Sequence, residues 1–292
     1  MTSPTIAPVD LPHLRQWLGR SEERGDFVTA TPLAALSATL DRDDPEPQPG
    51  SDVPPLWHWL YFPPLVRHSE IGPDGHPRRG GFLPPVPLPR RMWAGSRLQF
   101  NHPLQVGDEI TRASRIVKVD GKTGRSGELV FVTVRHEVTN AHGLALSEEQ
   151  DIVYRGAALP GAAAPAPQRA AMDETFARTI VPDPVLLFRY SALTFNGHRI
   201  HYDRPYAAEV EHYPGLVVHG PLIATLLLDL LRREQPQARV RRFDFTAVRP
   251  VFDIHPFTVC GRFGPGADTR RATLWARDHE GFLTMQAQAE LA

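Results

Sequence analysis

Apolar and polar residues alternate with a period of two from Leu129 to Val138, and again from Leu144 to Tyr154. The turn Thr139-Asn140-Ala141-His142-Gly143 lies between them, and Gly107-Asp108-Glu109-Ile110-Thr111 leads into an earlier run, Ser114 to Val119. Period-two strands joined by a turn that ends in glycine predict antiparallel hairpins. The same order returns further on. Val248 to Phe252 precedes Pro256 to Arg262; Arg271 to Ala276 then meets the turn Arg277-Asp278-His279-Glu280-Gly281 and a last strand, Phe282 to Leu291. The NAHG and DHEG turns fall at corresponding places, which predicts an internal duplication.

Helical spacing precedes the strands in each half. Asp10 to Leu18 reads as a short helix. Thr31 reads as an N-cap with Pro32 at the first helical position, and Leu33, Leu36 and Leu40 follow at helical spacing. Leu222 to Leu231 is apolar on nearly every face, so that helix is predicted to be buried. Such a helix followed by antiparallel strands is a helix wrapped by its sheet, and the fold class is α+β. Leu159 to Ala171 (LPGAAAPAPQRAA) has neither period and reads as a linker between residues 1–158 and 172–292. Asp44 to Met92 is proline-rich, holds Trp57, Trp59, Tyr61 and Phe62, and runs into Pro89-Arg90-Arg91-Met92-Trp93. Its aromatics predict an ordered loop, either covering a core edge or acting as a substrate lid.

Composition narrows the function. The 292 residues carry a net charge of −1, which argues against nucleic acid as a partner. The single cysteine, Cys260, excludes an intrachain disulfide, suits a reducing compartment, and lies in a strand pattern that suggests core rather than nucleophile. Met1 to Pro12 has no signal-peptide pattern, and Gly215 to Leu231 is too short and interrupted to span a bilayer, so no membrane role and a cytoplasmic location are expected. No zinc-type spacing, P-loop, GxSxG, HExxH or dinucleotide fingerprint occurs, and neither a metal nor another cofactor is expected.

The candidate chemistry gathers in Leu193-Thr194-Phe195-Asn196-Gly197-His198-Arg199-Ile200-His201-Tyr202-Asp203 and in Val218-His219-Gly220-Pro221. His201 is the candidate base, because imidazole titrates nearest to working pH. Asn196, five positions earlier, can hold a water or a carbonyl but cannot take a proton. Gly220 opens the apolar helix, where unpaired N–H groups and the helix dipole favour an oxyanion. His198 either orients its neighbours or faces solvent, and Asp203 reads as a loop-holding residue. Arg199, Arg249, Arg90 and Arg91 are candidates for a carboxylate or phosphate.

At these residues the chain resembles the MaoC-like (hydratase 2) superfamily of hotdog folds. Ile200-His201-Tyr202-Asp203 is similar to the end of that family's catalytic motif, and Val218-His219-Gly220-Pro221 to the start of its central helix. Phe245 to Phe252 looks like the strand after that helix, and LPRRMWAG with GKTGRSGELVFVTV looks like a degenerate N-terminal hotdog. The resemblance implies a double hotdog of two sheets, each around a helix, with His201 as catalytic histidine and Gly220 as oxyanion glycine. The superfamily's catalytic Asp would fall at Asn196. His219, Arg199 and Arg249 are the expected substrate-binding residues, with Arg249 and the Arg241-Arg242 pair first for the CoA phosphates.

The implied activity is reversible hydration of an enoyl-CoA, with mesaconyl-C4-CoA (3-methylfumaryl-CoA) giving citramalyl-CoA as the leading reading. Itaconyl-CoA hydration and 3-hydroxyacyl-thioester dehydration in fatty-acid synthesis are the alternatives, with a non-catalytic acyl-CoA-binding protein as a third. CoA arrives with the substrate. A homodimer is compatible with two hotdogs in one chain but not required.

Overall fold

The computed structural model describes residues 8–124, 127–156, 166–264 and 270–292. Residues 1–7 of the Met1 to Pro12 segment, 125–126 of the GKTGRSGELVFVTV run and 159–165 of the expected linker lie outside them.

The first half comprises α1 (Leu11–Leu14), β1 (Ser21–Phe27), α2 (Ala30–Thr39), β2 (Arg90–Phe100), β3 (Glu109–Gly124), β4 (Gly127–Asn140) and β5 (Gly143–Arg155). The second comprises β6 (Phe176–Ile180), α3 (Pro184–Leu193), α4 (Gly220–Glu234), β7 (Val240–Ala247), β8 (Phe257–Phe263), β9 (Arg271–Arg277) and β10 (Leu283–Leu291). The ten strands form one sheet in the order β1-β3-β4-β5-β2-β7-β10-β9-β8-β6. Each half threads its five strands alike, with the second strand returning to the inner edge beyond the fifth. The duplication read from two hairpins is therefore a duplication of topology.

The expected α+β double hotdog is what the structure shows, with one difference. The two sheets are fused edge to edge, because β2 and β7 pair from Gly95↔Thr246 to Gln99↔Arg242. A Cβ on Gly95 would come within 2.3 Å of the Phe245 carbonyl oxygen, so the seam requires glycine there. The halves also share one core: Leu33 and Leu36 of α2, Leu98 of β2 and Leu222, Leu226 and Leu230 of α4 belong to the same buried cluster. All ten residues from Leu222 to Leu231 are buried, as the pattern predicted. Even Asp229 among them is buried, and its carboxylate takes Arg42 at 2.6 Å, Arg233 at 2.8 Å and Arg178 at 3.0 Å.

Three element boundaries correct the sequence reading. Helix α2 starts at Ala30 with Thr29 at the N-cap, so Pro32 is its third residue. Its missing N–H costs nothing there, because first-turn N–H groups have no helical acceptor. The strand after α4 is Val240–Ala247, and Val248 to Phe252 leaves the sheet. Val248 and Arg249 both give their N–H to the Thr284 carbonyl, and Pro250 has none to give. The end of the expected linker is also tied down. Leu283 N–H bonds Gln168 O and Ala170 N–H bonds Gly281 O, placing this stretch against the β9–β10 hairpin.

The proline-rich segment both covers core and supplies a cleft wall. Trp57, Tyr61 and Phe62 are buried in the shared core. Trp59 packs edge-on against Trp93 with ring centroids 4.9 Å apart, and both line the cleft.

Candidate active site

The loop after α3 is built by short-range hydrogen bonds. Asp183 caps the start of α3 by accepting from Val185 N at 2.8 Å and Leu186 N at 2.9 Å. After Leu193 the chain reverses at Phe195, whose φ is +50°. Asn196 N–H then bonds Ser191 O at 2.8 Å, and Asn196 Oδ1 accepts the His198 N–H at 3.0 Å. That side-chain turn fixes the approach to a single 3-10 turn, Arg199–His201, which carries His201 inward.

His201 is 7% exposed, and its Nδ1 lies 2.7 Å from the Val217 carbonyl oxygen. A carbonyl only accepts, so Nδ1 carries the proton and Nε2 keeps its lone pair. Burial pushes the imidazole down to about 4 against the opposing pull of the Val217 bond, so the ring is neutral at neutral pH. A neutral ring with a fixed tautomer is the form a general base needs.

Behind this ring lies His219, fully buried and stacked on it at 3.7 Å. His219 Nε2 is 2.8 Å from Ser191 Oγ, and burial holds the ring well below the usual imidazole range. One residue on, Gly220 begins α4, so its N–H has no intrahelical acceptor. Gly220 and His201 line one cleft of about 1590 Å³, together with Asn196, Trp59, Trp93 and Arg91. The candidate base and the candidate oxyanion donor thus face a common space with an aromatic wall, an arrangement suited to chemistry beside a thioester carbonyl.

The other expected residues divide. Arg249 lines the cleft, paired with Asp278 at 3.3 Å and lying over the Phe282 ring. Asn196 also lines it; its Oδ1 accepts the turn's N–H, and its amide N–H groups are the donors it can offer a substrate or water. His219 is corrected from substrate contact to support: sealed behind His201, it is absent from the cleft wall. Arg199 is likewise outside the wall. It grips Asp203 at 2.7 and 2.9 Å, donates to Pro73 O at 3.0 Å and lies over the Tyr206 ring. Asp203 is the loop-holder it was read to be, also accepting the Tyr206 N–H at 3.1 Å. Arg90 pairs with Glu211 at 3.2 Å. Arg241 and Arg242 are exposed on β7, away from the cleft wall. Cys260 is fully buried, and burial raises its thiol to about 11.

Two polar groups in the cleft wall went unseen in the sequence. One is Asp74 and His76, in the turn Gly72-Pro73-Asp74-Gly75-His76-Pro77. This turn presses on the catalytic loop: Arg199 N–H bonds Asp74 O at 3.0 Å, and a Cβ on Gly75 would fall 1.8 Å from Gly197 O. It sets the His76 ring 4.0 Å from His198, whose ring is 5.4 Å from His201. His198 therefore packs between these two rings rather than facing solvent, half-buried, and burial with the charges of His76 and His201 brings it down to about 2. The proline-glycine pattern signalled a turn, but its partner lies far along the chain. The second group is Glu148 on β5, buried, with Ser96 Oγ at 2.7 Å and Trp59 Nε1 at 3.0 Å. Burial opposes its ionisation, but His58, His136 and Trp59 hold it down to about 2.

Residues 56–253 match the family model described as hydroxyacyl-thioester dehydratase type 2. The chain belongs to that family and is by membership a hydro-lyase. It is 47% identical over 278 residues to a mesaconyl-C(4)-CoA hydratase of Chloroflexus aurantiacus, covering 94% of this chain and 96% of that one. The mitochondrial hydroxyacyl-thioester dehydratase type 2 of Schizosaccharomyces pombe is 28% identical over 80% of this chain and 88% of its own. A Mycobacterium tuberculosis protein described as having a double hotdog fold superposes with a TM-score of 0.58 at 14% identity, over 94% of this chain and 96% of its own. That likeness bears on the fold alone. Among the described residues, no helix is long and apolar enough to cross a membrane.

Proposed function

We propose that the chain catalyses reversible hydration of mesaconyl-C4-CoA to citramalyl-CoA. The observation that carries this reading is the 47% identity to a mesaconyl-C(4)-CoA hydratase along nearly the whole of both chains. The site supports it with a neutral His201 and the N–H of Gly220 facing one cleft.

In the hydration direction the thioester oxygen accepts a hydrogen bond from Gly220 N–H, which draws electrons from the double bond. Water held near His201 Nε2 and the Asn196 amide attacks the β-carbon. The new C–O bond forms as His201 takes the water proton, and the electron pair moves to the thioester enolate. The α-carbon then takes a proton from the imidazolium, restoring the neutral ring and the thioester. The sequence needs no metal or redox cofactor, and CoA enters as part of the substrate. Arg249, the cleft arginine already beside Asp278, is the first candidate for a CoA phosphate. A cytoplasmic reaction suits a chain whose one cysteine is a buried thiol.

Loss of the enoyl-thioester absorbance on mixing purified protein with mesaconyl-C4-CoA tests the assignment, with crotonyl-CoA in parallel. Faster loss with the diacid is the expected result. Turnover of crotonyl-CoA alone would move the chain to the 3-hydroxyacyl-thioester dehydratases, the reading its family name favours. Turnover of neither would refute the mesaconyl-C4-CoA assignment and turn attention to itaconyl-CoA or to acyl-CoA binding without turnover.

A further inference from the structure

Where the 72–77 turn meets the catalytic loop, Asp74, His76 and His198 each bring a ligand atom within 4.8 Å of the others. By residue type the trio could hold a metal ion. The charges around it favour an anion. Arg79 and Arg91 both act on His76, adding to the burial that depresses its ring, and Asp74 is the carboxylate that opposes these two guanidinium groups. Asp74 is itself committed. It accepts from His76 N at 3.0 Å and lies 3.2 Å from His76 Nδ1, and these bonds hold its carboxyl well below the usual range despite burial.

The two arginines are not equivalent. Arg79 is spent on the carbonyls of Val86, Leu88 and Pro89. Arg91 lines the cleft and forms no ion pair with any carboxylate among the described residues. Its neighbour is the buried Tyr154, directly opposite it in the β2–β5 register. Two residues further along β2, the Trp93 carbonyl oxygen lies 4.0 Å from where a Cβ on Gly220 would sit. Arg91 thus acts on His76 in the imidazole cluster and shares the cleft wall with Gly220, on the strand that passes the start of α4.

Substrate chemistry asks for a cation in this place. In mesaconyl-C4-CoA the carbon that receives the hydroxyl also bears the free carboxylate. The group that binds that carboxylate must therefore stand next to the group that activates water. Arg199, the arginine closest to His201 in sequence, is outside the cleft wall and closed on Asp203.

We infer that Arg91 is the receptor for the free carboxylate of a dicarboxylyl thioester, in a pocket that the Asp74–His76 turn closes against His198. This rests on the proposed hydratase reading. A guanidinium fork meets a carboxylate through two parallel hydrogen bonds, and the pocket's net positive charge is neutralised when the carboxylate arrives.

The test measures kcat/KM for mesaconyl-C4-CoA and for 3-methylcrotonyl-CoA, which carries a methyl group in place of that carboxylate. Wild type, Arg91→Met and Arg91→Lys are compared, with thermal melts to verify folding. The diacid-to-methyl ratio is expected to fall about a hundredfold or more in Arg91→Met, the usual scale for removing one partner of a desolvated charge pair. Arg91→Lys should fall between, keeping the charge without the fork, and it supplies the comparison if the methionine variant does not fold. Equal loss on both thioesters would overturn the inference, assigning Arg91 to the CoA phosphates or to scaffolding. An unchanged ratio would overturn it too, leaving the hydratase reading intact. If the wild type hydrates crotonyl-CoA but not mesaconyl-C4-CoA, the hydratase reading fails and the receptor with it. Activity lost to a chelator and restored by a divalent metal would place a cation among Asp74, His76 and His198, against the anion pocket.

Discussion

The rings of His201 and His219 stack face to face, with centroids 3.7 Å apart and planes 19° from parallel. One imidazole faces the cleft and the other is sealed beneath it, bonded to Ser191. The pair fixes the plane of the candidate base from below, while the Val217 carbonyl fixes its tautomer. Removing each ring should therefore have a different consequence. His201→Ala is expected to lower turnover by ~10²–10⁴, the usual contribution of a general base, in a protein that still folds. Steady-state rates with mesaconyl-C4-CoA and circular dichroism check it, and a folded, fully active variant would remove His201 from the mechanism.

His219→Ala leaves a void under the base. A stability loss of about 2–4 kcal/mol is expected from a buried large-to-small change. Turnover should drop as well, because His201 loses its backing, while His219→Phe should recover most of the stability and less of the rate. Urea melts and rates on the two variants provide the comparison. Equal rates in both would show that the stack has no catalytic bearing.

Acid should destabilise the fold before it protonates the base. Buried His201 sits near 4, His198 near 2 and His219 well below the ordinary value, whereas in the unfolded chain each titrates near ~6.5. Below that pH the unfolded state binds more protons than the native one, so stability falls as pH falls. The contribution of His201 is complete above the unfolded value and lost on descent to about 4. Melting temperature should thus decline from just below pH 6.5, while kcat/KM of the folded enzyme holds level to lower pH. An acid limb of kcat/KM near 6.5 with no change in melting temperature would contradict this.

Gly75→Ala should damage activity although residue 75 lies far along the chain from His201. The new Cβ would meet Gly197 O at 1.8 Å, and the residue's φ of +88° is itself unfavourable for a side chain. The turn would lift from the catalytic loop, taking Asp74 and His76 with it. A fall in kcat of about tenfold or more is expected, on the scale of small misplacements in an active site. Normal kinetics in the variant would mean that the contact is not needed for turnover.

Asp229→Ala tests whether the halves unfold together. The buried carboxylate gathers Arg42 from the first half with Arg178 and Arg233 from the second. Breaking a buried pair by removing one partner typically costs about 3–5 kcal/mol. Because the core and the β2–β7 seam are shared, the variant should melt earlier but in a single transition. Two separated transitions would show that the halves are independent.

Much of this protein was legible in its sequence, where local patterns govern. The hairpin turns, the buried helix from Leu222 and the turn before His201 all follow from short-range periodicity and turn chemistry. Residue type and the position of Gly220 at a helix start singled out two residues, His201 and Gly220, that the fold brings to one cleft. Strand β1 left no such trace, because its residues (SEERGDF) pair at a sheet edge and alternate between exposed and half-buried. Only the tertiary structure decided how the two halves meet. Backbone pairing of β2 with β7 carries no residue code beyond the space for Gly95, and it fuses two expected sheets into one. Tertiary contact also decided which polar residues act together. It turned Arg199 to Asp203, buried His219 behind His201, and brought Asp74, His76 and Arg91 to the cleft from a segment distant in sequence. Spacing along a chain fixes neighbours within a turn or two; the partners of a side chain across the fold depend on the packing of the whole.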